Sequence, residues 1–277
     1  MSYGRKNTIQ RMILIFTLIV ILLVFLFPII WTFLTSIKDG VTAWTLPPKL
    51  IFKPSVSNYI KIFKERNLQH NILNSIIVAL GSTMIALVLG TPLAYMFART
   101  RYRFNNLLFI FVFMSYILPP IVLSIPFYII AARVGLLNSY LIVILTHSTF
   151  CMAFTVWMLR GFFEEIPAEI EECARIDGCS NFMILIKIVL PIARSGLAAT
   201  VVFNIILSWN DFMYALILTS MNTRTLPVAV AQFLTPHGMF WGEMCAAGIV
   251  AIAPVLVFSL FLQKYLIRGM TAGAVKG

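Results

Sequence analysis

Acidic side chains are scarce: ten Asp and Glu stand against 21 Lys and Arg in 277 residues, and charged residues make up only 11% of the chain. With 60% hydrophobic residues and a mean hydropathy of +0.94, the chain has too few charges to cover a water-soluble domain, so lipid is the expected solvent. No two glycines are adjacent and no G-x-x-x-x-G-K-[ST] occurs, which removes the phosphate-cradling loop and ATP hydrolysis by that route. A G-x-S-x-G elbow and a pair of intramembrane aspartates are missing too, so the usual signs of a membrane-embedded hydrolase are not there. His70, His147 and His237 lie far apart without an H-E-x-x-H or Cys-rich neighbour, leaving a metal site unsupported. Of the four cysteines, Cys151 and Cys245 fall in apolar runs, while Cys173 and Cys179 lie in a polar segment expected to face reducing cytoplasm; they make no disulfide framework. A basic stripe with interleaved aromatics is also lacking, so the net charge of +11 reads as membrane topology and attraction to anionic lipid, not as nucleic-acid binding.

Long apolar runs are abundant. Six of them, at 12–33, 72–98, 107–130, 139–159, 196–219 and 244–266, are each long enough for a helix rising 1.5 Å per residue to cross about 30 Å of hydrocarbon. They predict an all-α, polytopic membrane protein with six transmembrane helices. The first run is about twice the length of a signal-peptide core and has no clean small-x-small site after it, so it is expected to remain as an anchor. Placing Arg5, Lys6 and Arg11 inside and alternating puts 13 of the 21 basic residues inside, which predicts cytoplasmic N- and C-termini. Lys38, Lys49, Lys53, Lys61, Lys64 and Arg66 in the first outer loop pull the other way. The expected organisation is an anchor and first outer loop at 1–71, a transmembrane core at 72–266 and a tail at 267–277.

Six of the ten acids, Glu164, Glu165, Glu169, Glu171, Glu172 and Asp177, crowd into one fourteen-residue window whose only base is Arg175. Anionic headgroups repel such a segment, which leaves it available to a protein. Pro167 suits a first helical position, Glu169 and Glu171 suit a helix N-terminus, and Gly178 suits the left-handed position past a helix end. One helix is therefore expected from 167 to 177, with Ile170, Cys173 and Ala174 as a narrow stripe of mostly small residues for close approach. A second helix, capped by Ser180 or Asn181, should bury Phe182, Leu185, Ile186 and Val189 and end at Pro191.

Glu172-Cys173-Ala174, three residues, Gly178, nine residues and Ile188-Val189-Leu190-Pro191 together resemble the EAA loop of ABC importer permeases, E-A-A-x3-G-x9-I-x-L-P, with Cys173 in place of the second residue. The likeness extends to Leu93–Arg99, Phe163–Pro167, Trp209–Phe212, Thr225–Val228 and the tail Arg268–Gly277, all similar to the maltose-type carbohydrate importers. That resemblance implies a permease subunit in the inner or plasma membrane of a prokaryote, moving a sugar or oligosaccharide inward by alternating access, without cofactor or catalysis of its own. It further implies two ABC ATPase subunits gripping the EAA loops, a second permease subunit and an extracytoplasmic sugar-binding protein. The expected coupling residues are Glu172, Cys173, Ala174, Asp177, Gly178, Ile188, Leu190 and Pro191.

Asp211 is the one acid expected inside a span, where a charge is costly unless it faces protein or water. With Trp209 and Asn210 it offers a stacking face and hydrogen-bonding groups for a sugar, but the resemblance implies that the partner permease holds most sugar contacts, so a structural or gating role is preferred for Asp211. His147 reads as a hydrogen-bonded core histidine. Pro119, Pro120 and Pro126 are expected to break the third helix, and Gly90 with Pro92 the second, where freed backbone groups can meet protein or a water-filled path. An ion-coupled carrier would place several ionisable groups near the midplane and show inverted repeats; the sequence has one such acid and no evident repeat. A non-transporting scaffold would use the acidic helices only as an adaptor.

Overall fold

The computed structural model describes residues 3–100, 103–235 and 238–274, with side chains over 10–100, 103–234 and 240–260. The helices in chain order are α1 (Tyr3–Ser36), α2 (Ser57–Lys64), α3 (Leu68–Arg99), α4 (Asn105–Ile117), α5 (Pro120–Arg133), α6 (Tyr140–Glu164), α7 (Ala168–Ile176), α8 (Asn181–Ile184), α9 (Leu190–Ile192), α10 (Arg194–Asn210), α11 (Met213–Leu218), α12 (Leu226–Ala231) and α13 (Trp241–Ala274). A π turn, Leu185–Val189, joins α8 to α9. A two-residue antiparallel pair, β1 (Leu234–Thr235) with β2 (Gly238–Met239), precedes α13 and leaves the fold helical in character. Among the described residues, four helices are long and apolar enough to cross a membrane, and the total reaches six if each of two bent pairs is counted as one span.

The chain groups into two compact units, Met1–Leu68 with Val230–Ile252 and Gln69–Ala229 with Ala253–Gly277. In the first unit α1 ends at Ser36, and the buried Asn58 satisfies carbonyls there by donating to Ser36 O at 2.8 Å and Lys38 O at 2.6 Å. Gly242 makes room for that amide, since a Cβ there would lie 2.6 Å from Asn58 Nδ2. Glu243, nearly buried, accepts from Arg66 Nε at 3.4 Å.

In the second unit the chain bends by 90° between α4 and α5. Leu118 and Pro119 are extended because a residue before proline is driven from the helical region, and Pro120 then restarts the helix at its first position. The expected break at 119–120 is thus present. Two other expected breaks are not: Pro126 lies inside a continuous α5, and α3 passes through Gly90 and Pro92 without interruption. Gly90 serves close approach instead, since a Cβ there would lie 2.9 Å from Thr155 of α6. The expected fifth span, 196–219, is also corrected: α10 stops at Asn210, Asp211 is extended, and α11 restarts at Met213.

The π turn alters which residues face inward. An α-helical register predicts burial of Phe182, Leu185, Ile186 and Val189, but Ile184, Leu185 and Val189 are buried while Phe182 and Ile186 face out. A π turn takes more residues per turn than the 3.6 of an α-helix, which brings Ile184 and Val189 towards one side. A bend of 85° then separates α8–α9 from α10. Gly196, in the first turn of α10, meets the Phe162 ring at a distance no side chain tolerates, so Gly196→Ala should destabilise the protein by about 1–3 kcal/mol through overpacking. Phe162→Ala in the same background should recover most of that loss, as read from thermal unfolding in detergent.

Candidate coupling loop and pathway cavity

The acid-rich window forms two short helices around a tight turn. Pro167 serves as the N-cap of α7 and not as its first residue, with Glu169 and Glu171 in the first turn where the helix dipole favours them. The C-terminus is a Schellman motif: Cys179 N donates to Ala174 O and Gly178 N to Arg175 O, each at 3.0 Å, with Gly178 at φ +84°. Ser180 caps α8 by accepting from Met183 N. Sequence signals therefore place both helices correctly to within a residue or two.

Of the stripe expected for close approach, Ile170 and Cys173 are exposed and Ala174 is buried; the other buried residue of α7 is Glu171 at 1% exposure. Its carboxylate is saturated: Tyr95 Oη donates to Oε2 at 2.6 Å and Arg99 Nε to Oε1 at 2.7 Å. Arg99 also donates from Nη2 to Ile166 O at 2.9 Å, so one guanidinium ties the end of α3 to both the carboxylate and the backbone before α7. Around this pair Ala94, Leu159, Phe163, Ile184, Leu185 and Val189 form an apolar core. Glu171 is thus an internal latch, not part of the acidic surface open to a partner.

The motif residues divide accordingly. Glu172, Cys173, Asp177, Gly178 and Pro191 are exposed, Ala174 is buried, and Ile188 and Leu190 pack half-buried against the core. Ile176 and Phe182 add large apolar surface to the open side, at 86% and 69% exposure. The loop therefore presents acids and hydrophobics outward on a base fixed from within.

The second candidate region lies at the break between α10 and α11. Asp211 Oδ1 accepts from Ala215 N at 3.2 Å and pairs with His147 Nε2 at 3.0 Å. His147, fully buried on α6, places Nδ1 2.8 Å from Ser208 Oγ, which in turn accepts from Ser82 Oγ at 3.1 Å. Both ring nitrogens of His147 are thus engaged, Nε2 with the carboxylate and Nδ1 with the Ser208 hydroxyl. Through Ser208 and Ser82, His147 thereby links α6 to α10 and α3, the hydrogen-bonded core role expected of it.

Asp211 and Asn210 line a cavity of about 230 Å³, with Tyr116, Phe150 and Tyr214 among its walls. The rings of Phe150 and Tyr214 stack at 5.9 Å. Trp209 does not line it and is buried in the protein, so the expected trio contributes two members. The aromatic walls come from three other helices, α4, α6 and α11, and no local sequence signal marks them. The volume falls below the roughly 300–1,000 Å³ of a complete small-molecule pocket.

The latch and a surface ion pair make a direct comparison. Arg99→Ala leaves the buried Glu171 with Tyr95 and, at 3.9 Å, Arg175, and should cost up to about 3–5 kcal/mol, whereas Glu164→Gln, breaking the exposed pair with Arg160, should cost under about 0.5 kcal/mol. Thermal unfolding of the two variants measures the difference, and protease cleavage within 164–180 should rise in the first alone.

Residues 86–272 match the family model described as the binding-protein-dependent transport system inner membrane component. The chain is 30% identical over 277 residues to the trehalose/maltose transport system permease protein MalG of Thermococcus litoralis, covering 99% of each. It is 35% identical over 259 residues to the trehalose transport system permease protein SugB of Mycobacterium tuberculosis, covering 91% of this chain and 93% of that one. In fold it is similar to a chain of a bacterial ABC transporter involved in the import of the acidic polysaccharide alginate, with a TM-score of 0.75 at 22% identity, covering 96% of this chain and 99% of that one. A helix-turn-helix arm on a membrane-spanning helical core, matched over most of its length by this family model, makes the chain a member of the binding-protein-dependent transport system inner membrane component family.

Proposed function

We propose that this chain is one of two permease subunits of an ATP-driven importer that carries a sugar or oligosaccharide into the cell by alternating access. Relatives named for trehalose and maltose transport support the carbohydrate assignment. ATP hydrolysis resides on two separate ABC ATPase subunits, and an extracytoplasmic binding protein delivers the sugar. The helix-turn-helix faces the cytoplasm with both termini, in keeping with the distribution of basic residues. The tail at 267–277 reaches the ATPase assembly; its last residues, Val275–Gly277, lie outside the described residues.

The observation that carries this reading is the contrast between the two faces of the loop. Glu172, Asp177, Ile176 and Phe182 are presented outward, while Glu171 locks the same helix to α3. A push on the outer face is then passed to transmembrane helices and not absorbed by a floppy loop. The partial cavity at Asp211 supports a pathway completed by the second permease subunit, with Asn210, Asp211 and the aromatic walls contributing one side.

Purifying the chain with co-expressed partners and screening sugars for stimulation of ATP hydrolysis in the presence of the binding protein tests the whole reading. Uptake driven by a proton gradient and indifferent to ATP would overturn it. Gly178→Val places a β-branched residue at positive φ, a backbone strain of about 1–3 kcal/mol. Together with Glu172→Lys it should reduce ATPase copurification and uptake; normal docking and transport in both would make the loop a solvated surface. Asp211→Asn keeps an oxygen for His147 and Ala215 while removing the charge, so assembly should persist and uptake at subsaturating sugar should fall severalfold. Unchanged uptake would remove Asp211 from the pathway.

A further inference from the structure

The first unit holds a separate cavity of about 630 Å³ that the transport reading does not use. Its walls include Trp31, Thr35, Lys38, Trp44, Thr45 and Trp241. Lys38 is 4% exposed, and its ammonium lies 5.1 Å from the ring centroids of both Trp31 and Phe52. Among the described residues no carboxylate comes within ion-pair distance of it. The acids that could answer it are engaged elsewhere: Asp39 accepts from Thr42 N at 2.6 Å, and Glu243 pairs with Arg66 and Lys61. Hydrogen bonds from Thr42 hold the Asp39 carboxyl below its usual range, which ties that charge to the turn.

A buried cation held only by aromatic faces lacks the anion that would offset its desolvation. The location names the source. Lys38 stands just past the stretch Gln10–Ser36, which is long and apolar enough to cross a membrane and whose most apolar window is unburied within the chain. Tryptophans at such a level mark the boundary between headgroups and hydrocarbon, where their rings meet both.

We propose that this cavity is a binding site for the phosphate of an anionic membrane lipid, with Lys38 as counter-ion and Trp31, Trp44 and Trp241 flanking the glycerol and upper acyl chain. Thr35 and Thr45 add hydroxyl groups to the walls. The site is independent of Asp211 and of the helix-turn-helix, so its occupancy does not depend on the transport assignment.

The full chain, placed in phosphatidylcholine nanodiscs with increasing phosphatidylglycerol and released for native mass spectrometry, reads retained lipids directly. Phosphatidylglycerol should be retained in preference to phosphatidylcholine, Lys38→Gln should weaken that retention about tenfold, as loss of a charge-assisted bond implies, and Lys38→Arg should keep it. Should Lys38→Gln fail to accumulate, Trp44→Ala, at a wall residue that is 54% exposed, should lower retention in the same direction. Retention unchanged in Lys38→Gln, or in Trp44→Ala where that variant stands in, overturns the proposal. Displacement of phosphatidylglycerol from the native chain by inorganic phosphate also overturns it, because the ligand is then a soluble anion.

Discussion

The buried contact of Glu171 with Tyr95 and Arg99 is the constraint on which the arm of this permease depends. A carboxylate at 1% exposure is tolerable only because both oxygens are answered, one by a phenol and one by a guanidinium. The arrangement fixes α7 against the end of α3 at a defined height and rotation. Apolar packing by Ala174, Ile184 and Val189 could hold the two together, but it is non-directional and would not by itself choose that rotation. The outward residues inherit their placement from this internal bond.

At the other region the logic is similar and the outcome differs. His147 and Asp211 close a hydrogen-bond chain across three helices, yet Asp211 stands at a break and beside a cavity. A broken helix exposes backbone groups that an intact one would satisfy internally, and Asp211 takes one of them by accepting from Ala215. The same oxygen that accepts from the first turn of α11 thus borders the cavity, whose wall is fixed on that side by the hydrogen-bond chain.

What the sequence revealed follows from the range of the interactions involved. The spans, the break at Pro119, the Ser180 cap and the left-handed Gly178 depend on residues a few positions apart, and each was readable from local patterns. Glu171 was legible only as a helix-start acid, because its partners lie 72 and 76 residues earlier. Trp209 looked like a stacking face since it stands beside Asp211, but neighbours on a helix point in different directions, and Asn210 faces the cavity instead. The end of α10 at Asn210 had no proline or glycine to announce it. Gly90 and Pro92 announced a break that lipid and close helix packing suppress.

The π turn at Leu185–Val189 turns residue count into direction. One residue more than an α-helix needs is stored there, which offsets everything beyond it by about 100° around the axis. The heading of the arm relative to α10 therefore rests on a residue count as well as on the side chains that hold α7. Adding or removing a residue between Gly178 and Pro191 re-aims the arm even where every side-chain contact is kept.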